Sequence, residues 1–246
     1  MQDNTDAGQS GTGSPEASVK HPTLRPRDAA TLLLLDRQKT HVRVLMGRRH
    51  MRHAFFPGAL VFPGGRTDPD DSRVPVAEGL LPDEERKLAQ IGTRTSATRA
   101  RAIALSAIRE TYEETGILIG RRGVFDRKSS GWQGFADHDV QPALSGLRFL
   151  ARAITPPGKV RRYDTRFLAC WKDEVATVLP EGGPTDELGE LVWLTLDEAM
   201  ENELPGVTRR VLKLLRGRLG DDPDLRPGGP VAFMRTLRNR LVQDTL

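Results

Sequence analysis

The sequence predicts an α/β architecture, and three observations carry that prediction. Short apolar runs with strand periodicity fall at Ala29–Leu35, Val42–Met46, Tyr163–Trp171 and Leu191–Leu194, and stretches of helical periodicity lie between and after them. The alternation is irregular and has no internal repeat, which points to α/β or α+β. The length of 246 residues, with 28% charged and 37% hydrophobic residues, fits one α/β domain with peripheral additions, or two small domains.

Taken in order, residues 1–26 are rich in Gly, Ser, Thr, Asp and Pro, with almost nothing to bury, and read as a disordered tail. Two strands follow, Ala29–Leu35 and Val42–Met46, with a polar turn over Asp36–Thr40. The segment His53–Gly65 is apolar and aromatic but broken by Pro and Gly, which suggests short strands and tight turns. Residues 66–95 are polar, with a helix expected from Pro82 to Ile91, Pro82 at its first position and Gly92 beyond its end.

The strongest helix runs from Ala97 to Thr115. Thr95 or Ser96 is placed to cap it and Gly116 to end it. Leu105, Ile108 and Tyr112 define its apolar face, and Glu110, Glu113 and Glu114 the opposite one. Further on, Tyr163–Trp171 puts Tyr163, Thr165 and Phe167 on one side. Thr195–Glu198 starts a helix, Val207–Leu215 forms another, and residues 221–246 are read as a C-terminal extension.

Several function classes are excluded early. The longest apolar stretch, Ala29–Leu35, is seven residues and contains Thr31, against roughly 20 for a membrane helix. The first residues lack the charged and apolar regions of a signal peptide, so a cytoplasmic location is expected. The single cysteine, Cys170, excludes an intramolecular disulfide and a multi-cysteine metal site, and reads as a small buried hydrophobe. Lys and Arg total 37 against 33 Asp and Glu, a net charge of +4. Arginine is scattered, with pairs at Arg48-Arg49, Arg121-Arg122, Arg161-Arg162 and Arg209-Arg210. That pattern suits small phosphorylated ligands at least as well as a polynucleotide, and no nucleic-acid partner is expected.

Three glutamates on one helical face repel one another, and near the helix C-terminus the macrodipole disfavours them further. Such a face alone is most often a solvated acidic surface. A functional reason for it would be a divalent cation. Carboxylates without Cys or a nearby His suit Mg²⁺ or Mn²⁺ rather than zinc.

The wider pattern favours that reason. Arg109-Glu110-Thr111-Tyr112-Glu113-Glu114-Thr115-Gly116-Ile117, with Phe62-Pro63-Gly64-Gly65 upstream, resembles the Nudix box, G-x5-E-x7-R-E-U-x-E-E-x-G-U, U being aliphatic. This chain departs from the pattern in three ways. Arg109 lies 44 positions after Gly65, against 14 in the family, so about 30 residues are inserted, near 66–95. The isolated glutamate is absent: counting forward from Gly65 gives Asp71, with Asp68 and Asp70 nearby, and counting back from Arg109 gives Arg101. Thr111 stands for an aliphatic residue. The insertion, together with Arg162-Tyr163-Asp164-Thr165-Arg166-Phe167 after Thr155-Pro156-Pro157, resembles a branch similar to the peroxisomal coenzyme A diphosphatases. An upstream motif of the coenzyme A-directed members is matched in part, at Leu45, Arg49, Gly58 and Phe62–Gly65.

The resemblance spans roughly residues 28–215. It implies an α/β/α sandwich with a mixed sheet over residues 27–220. It also implies a hydrolase that cleaves a diphosphate in a small nucleoside-diphosphate-linked substrate with Mg²⁺ or Mn²⁺. By the same resemblance Glu113 and Glu114 are metal ligands, Glu110 is a ligand or the base, and a carbonyl at Gly64 or Gly65 completes the coordination. Arg109 is expected to brace the glutamates. Glu187 and Glu190, ahead of Trp193, are candidates for a further glutamate that many members place before a late strand. Arg49, Arg161 and Arg162 are candidate phosphate holders, through their guanidinium forks. The sequence does not fix the oligomeric state.

Overall fold

Leu32, Leu33, Leu34 and Leu35 are all fully buried, which requires a strand covered on both faces. In the computed structural model, which describes residues 24–51, 57–90, 96–126, 130–238 and 240–246, this strand is the centre of the molecule. The expected tail up to residue 23, His53–Phe56, Gly92 and Thr95 lie outside the described residues.

The strands are β1 (Arg27–Arg37), β2 (Val42–Arg49), β3 (Leu60–Val61), β4 (Gly64–Arg66), β5 (Ile117–Arg122) and β6 (Val140–Pro142). They continue with β7 (Arg148–Ile154), β8 (Tyr163–Trp171), β9 (Val175–Val178), β10 (Leu188–Thr195), β11 (Ala232–Leu237) and β12 (Arg240–Thr245). The helices are α1 (Pro82–Ala89), α2 (Ala97–Thr115), α3 (Gln133–Asp137), α4 (Leu196–Glu201) and α5 (Gly206–Asp221).

The main sheet is mixed, in the order β10-β2-β1-β8-β7-β11-β12, with β3 on β2 and β4 on β1. β1 runs parallel to β8 and antiparallel to β2 and β4. A small sheet, β6-β5-β9, follows α2.

Alternation along β1 builds two cores. Leu32 and Leu34 pack with Leu105, Ile108 and Tyr112 of α2 and with Trp132 and Phe135. Leu33 and Leu35 pack with Ala199 of α4 and Val211, Leu212 and Leu215 of α5. The result is the α/β/α layering that the resemblance implied.

Two expected boundaries move. Residues 24–26, assigned to the tail, reach the body of the protein, where the Arg162 guanidinium donates to the Leu24 carbonyl at 2.6 Å. Residues 221–246, read as an extension, add β11 and β12 to the main sheet, with β11 running parallel to β7. The helix expected over 82–91 ends at Ala89, with Gln90 as its C-cap. Because residues 1–23 carry too few apolar side chains to dock, their removal is expected to leave the melting temperature and turnover unchanged. Removal of 1–26 also deletes an acceptor of Arg162 and should lower turnover, a difference that paired thermal and kinetic measurements on both truncations will show. Among the described residues no helix is long and apolar enough to cross a membrane.

Candidate active site

Helix α2 positions the acidic face. The Ser96 side chain accepts from the Arg99 backbone N–H at its start, and Gly116 ends it in the left-handed region at φ 72°. A Cβ at Gly116 would also sit 2.5 Å from the Gly182 backbone, so glycine is required twice over. Thr111, where the family pattern has an aliphatic residue, is fully buried. Its hydroxyl donates to the Ala107 carbonyl at 2.7 Å, which satisfies the one polar group the change introduces.

The glycine pair meets this face across β1, where Gly64 is in register with Thr31 and Gly65 with Ala30. The Gly64 N–H donates to Glu114 Oε2 at 2.9 Å. A Cβ on Gly64 would lie 2.5 Å from the Ala30 carbonyl oxygen, and one on Gly65 would lie 2.3 Å from Glu110 Oε2. The first clash is with backbone, which cannot yield. The second is with a side chain of the site itself, so Gly65→Ala displaces Glu110.

Arg109 joins the two halves. Its Nη1 donates to Glu110 Oε1 and Glu113 Oε2, each at 2.8 Å, and its Nη2 donates to the Arg66 carbonyl at 2.8 Å. Its Nε and Nη2 grip Asp71 at 2.9 and 3.1 Å. All five N–H groups of the guanidinium are thereby used. Asp71 is 1% exposed and also accepts from the Asp68 backbone N–H at 2.8 Å. Counting forward from Gly65 thus finds an acid that acts on Arg109. Asp68 faces Arg66 at the surface. Asp71→Asn is expected to lower turnover about 10–100-fold, the usual cost of losing a group that orients a ligand, with part of the loss recovered at higher Mg²⁺. Asp68→Asn and Asp70→Asn should cost less, and kinetics of the three variants over a Mg²⁺ titration will rank them.

The glutamates line a cleft of about 1210 Å³ with Arg49, Arg66, Arg109, Arg161, Arg162 and Glu187 among its other walls. Burial raises the Glu110 carboxyl to about 7, with Glu113 adding and Arg109 opposing. Burial likewise raises Glu113, against the pull of Arg109. It raises Glu114 well above the carboxylate range, helped by Glu110 and Glu187 and opposed by the Gly64 N–H. Burial works against the Arg109 charge, but its bonds to Asp71 and the charges of Glu110 and Glu113 outweigh it, so Arg109 stays cationic.

Crowded, desolvated carboxylates of this kind gain from a cation. Among the described residues no three His, Cys, Asp or Glu side chains form a ready-made metal cage, and Glu110 and Glu113 are turned to Arg109 instead. The donors are nevertheless all oxygens, which fits Mg²⁺ or Mn²⁺.

The other predicted residues divide. Arg49, Arg161, Arg162 and Glu187 line the cleft, and Arg49 lies 3.7 Å from Glu187. Glu190 does not line it. The irregularity of β10 between Leu188 and Leu191 leaves Glu190 beside Arg48 at 3.4 Å, more than half exposed. Sequence reasoning missed Arg25 and Arg27, assigned to or beside the tail, and Arg66, all three of which line the cleft. The two-residue alternation of β1, carried back to Arg27, is the signal that would have found that residue. Cys170 is fully buried, as expected, and burial raises its thiol out of the reactive range.

Fold and site together define a protein with the Nudix fold. No protein-family model matches the chain. It superposes on the crystal structure of a NUDIX hydrolase from Alicyclobacillus acidocaldarius with a TM-score of 0.59 and 24% identity, covering 78% of this chain and 92% of that one. In sequence it is 28% identical over 201 residues to the Caenorhabditis elegans protein named "Putative nudix hydrolase 7", covering 73% of this chain. The match spans 55% of that relative's length.

Proposed function

We propose that this protein hydrolyses the diphosphate bond of a nucleoside-diphosphate-linked substrate with a divalent metal, and that coenzyme A or acyl-coenzyme A is its favoured substrate. One observation carries the reading: Arg109 and Gly64 hold Glu110, Glu113 and Glu114 at one end of a cleft whose other walls carry arginines.

In this reading Glu113 and Glu114, with the Gly64 or Gly65 carbonyl, would hold Mg²⁺ or Mn²⁺, with Glu110 as a further ligand or as the base, and the ion would supply neutralisation of the charge that shields phosphorus from attack. The chain's own groups do the rest. Gly64 and Arg109 keep the three carboxylates together on one side of the cleft before substrate arrives, and Glu110 and Glu113 turn from Arg109 to take up a cation. Where Glu110 is the base rather than a ligand, its burial, which raises the carboxyl to about 7, suits it to take a proton from the attacking water. Arg49, beside Glu187 in the same cleft, is placed to meet the phosphates.

The preference for coenzyme A is supported by the partial upstream match at Leu45, Arg49, Gly58 and Phe62–Gly65, and by the Arg162–Phe167 phrase, whose odd-numbered residues floor the cleft. A screen of coenzyme A, acyl-coenzyme A, ADP-ribose, NADH and nucleoside triphosphates with Mg²⁺ and with Mn²⁺, products identified by mass, tests the reading. Two phosphorylated products from coenzyme A are expected. Turnover of another member alone would move the substrate, and binding without turnover would make the protein a nucleotide-sensing module.

A further inference from the structure

The cleft is electrically lopsided. Arg49, Arg66 and Arg109, at the glutamate end, each have a carboxylate partner: Glu187, Asp68, and Asp71 with Glu110 and Glu113. Arg25, Arg27, Arg161 and Arg162 line the same cleft, and among the described residues none of the four has a carboxylate partner.

These four arginines come from two chain segments that the backbone holds side by side. The Arg27 N–H donates to the Arg162 carbonyl at 3.0 Å. The Arg162 guanidinium binds the Leu24 carbonyl at 2.6 Å and the Thr155 carbonyl at 3.0 Å, which fastens the start of β1 to the β7–β8 connection. The connection is itself closed by the Thr155 hydroxyl, which accepts from the Tyr163 N–H at 3.0 Å.

Register gives the separation of the two ends. Arg27 lies level with Tyr163, whereas Ala30 and Thr31 lie level with Gly65 and Gly64, where the glutamates converge. Three to four residues of strand is roughly 10–13 Å. A diphosphate held at the glutamates does not span that distance, while a nucleoside attached to it does. Between the ends the floor is made by Ala29, Thr31, Thr165 and Phe167, which carry no charge, so a bound group is not neutralised on the way.

Resting on the diphosphate-hydrolase reading, we propose that Arg25, Arg27, Arg161 and Arg162 form a second anion subsite that takes a phosphomonoester carried by the substrate, remote from the bond that is cleaved. Guanidiniums gathered at one end without a carboxylate counter-ion repel one another, and a dianionic group relieves that repulsion while accepting several charge-assisted hydrogen bonds. The subsite would select, among nucleoside-diphosphate derivatives, those that bear an extra phosphate on the nucleoside.

Two measurements separate this proposal from the reading beneath it. Hydrolysis is compared within pairs that differ by the extra phosphate alone, coenzyme A against 3′-dephospho-coenzyme A and NADPH against NADH. Binding of adenosine 3′,5′-bisphosphate against adenosine 5′-monophosphate is measured by calorimetry without added metal. We expect the phosphorylated member to be favoured roughly 10–100-fold in at least one hydrolysis pair and in binding. That ratio should fall toward one in the double variant Arg27→Gln/Arg161→Gln. Loss of hydrolysis with the binding preference intact would sink the hydrolase reading and keep the subsite. Hydrolysis and binding without any preference in the parent protein, or a preference that the double variant retains, would overturn the subsite.

Discussion

Glu113→Gln and Glu114→Gln are each expected to lose more than about 100-fold in turnover, beyond the upper end of what an outer orienting group costs. The melting temperature should stay near or above that of the parent. Both halves of the expectation come from the same geometry. Glutamine keeps the shape and an acceptor oxygen, so Arg109 still has its partner at position 113 and the Gly64 N–H still has one at position 114. What disappears is a negative charge that burial and the neighbouring carboxylates already oppose. A structural role would show the reverse pattern, with stability lost and turnover kept. Wild-type turnover in either variant at saturating Mg²⁺ would remove these residues from the proposed metal site.

Arg109→Met should have the largest effect on stability. The Arg109 side chain is 6% exposed and Asp71 is 1% exposed, so the substitution leaves a buried aspartate without its cation. Breaking a buried pair from one side costs about 3–5 kcal/mol. In a chain of this size that is roughly 6–20 °C in melting temperature. The Arg66 carbonyl and two glutamates lose a donor in the same step. Adding Asp71→Asn removes the stranded charge, so the double variant should melt above Arg109→Met while remaining inactive. Thermal unfolding of the two single variants and the double variant measures this coupling. Strictly additive losses would show that Arg109 and Asp71 do not work as a pair.

How much of this was legible in the sequence depends on how local the cause is. The ends of α2 were readable because Ser96 and Gly116 carry cap chemistry in their own side chains and backbone. β1, β2 and β8 were readable because buried central strands are apolar runs. β7 was not, since Arg148 and Arg152 interrupt its pattern. Arg152 is nevertheless buried, gripping Asp164 with two bonds, at 2.6 and 2.5 Å. β11 was invisible for a related reason: its partner β7 lies some eighty residues earlier, and no local feature encodes a parallel pairing at that range.

Within the site, Asp71 was found by counting from Gly65, because residues 65–71 keep their local path, whereas counting back from Arg109 led to Arg101. Arg101 donates to the Ser72 carbonyl at 3.0 Å and so closes the intervening segment onto α2 rather than facing the cleft. Glu187 and Glu190 looked equivalent in sequence, and only the irregularity in β10 separates them.

Mn²⁺ binding followed by electron paramagnetic resonance tests most directly whether the acidic face of α2 is a divalent-cation site. The parent protein should bind Mn²⁺, and Glu113→Gln/Glu114→Gln should lose that binding while keeping its fold, whereas Glu190→Gln, outside the cleft, should bind as the parent does. Equal Mn²⁺ binding by the parent and the Glu113→Gln/Glu114→Gln variant would contradict the account.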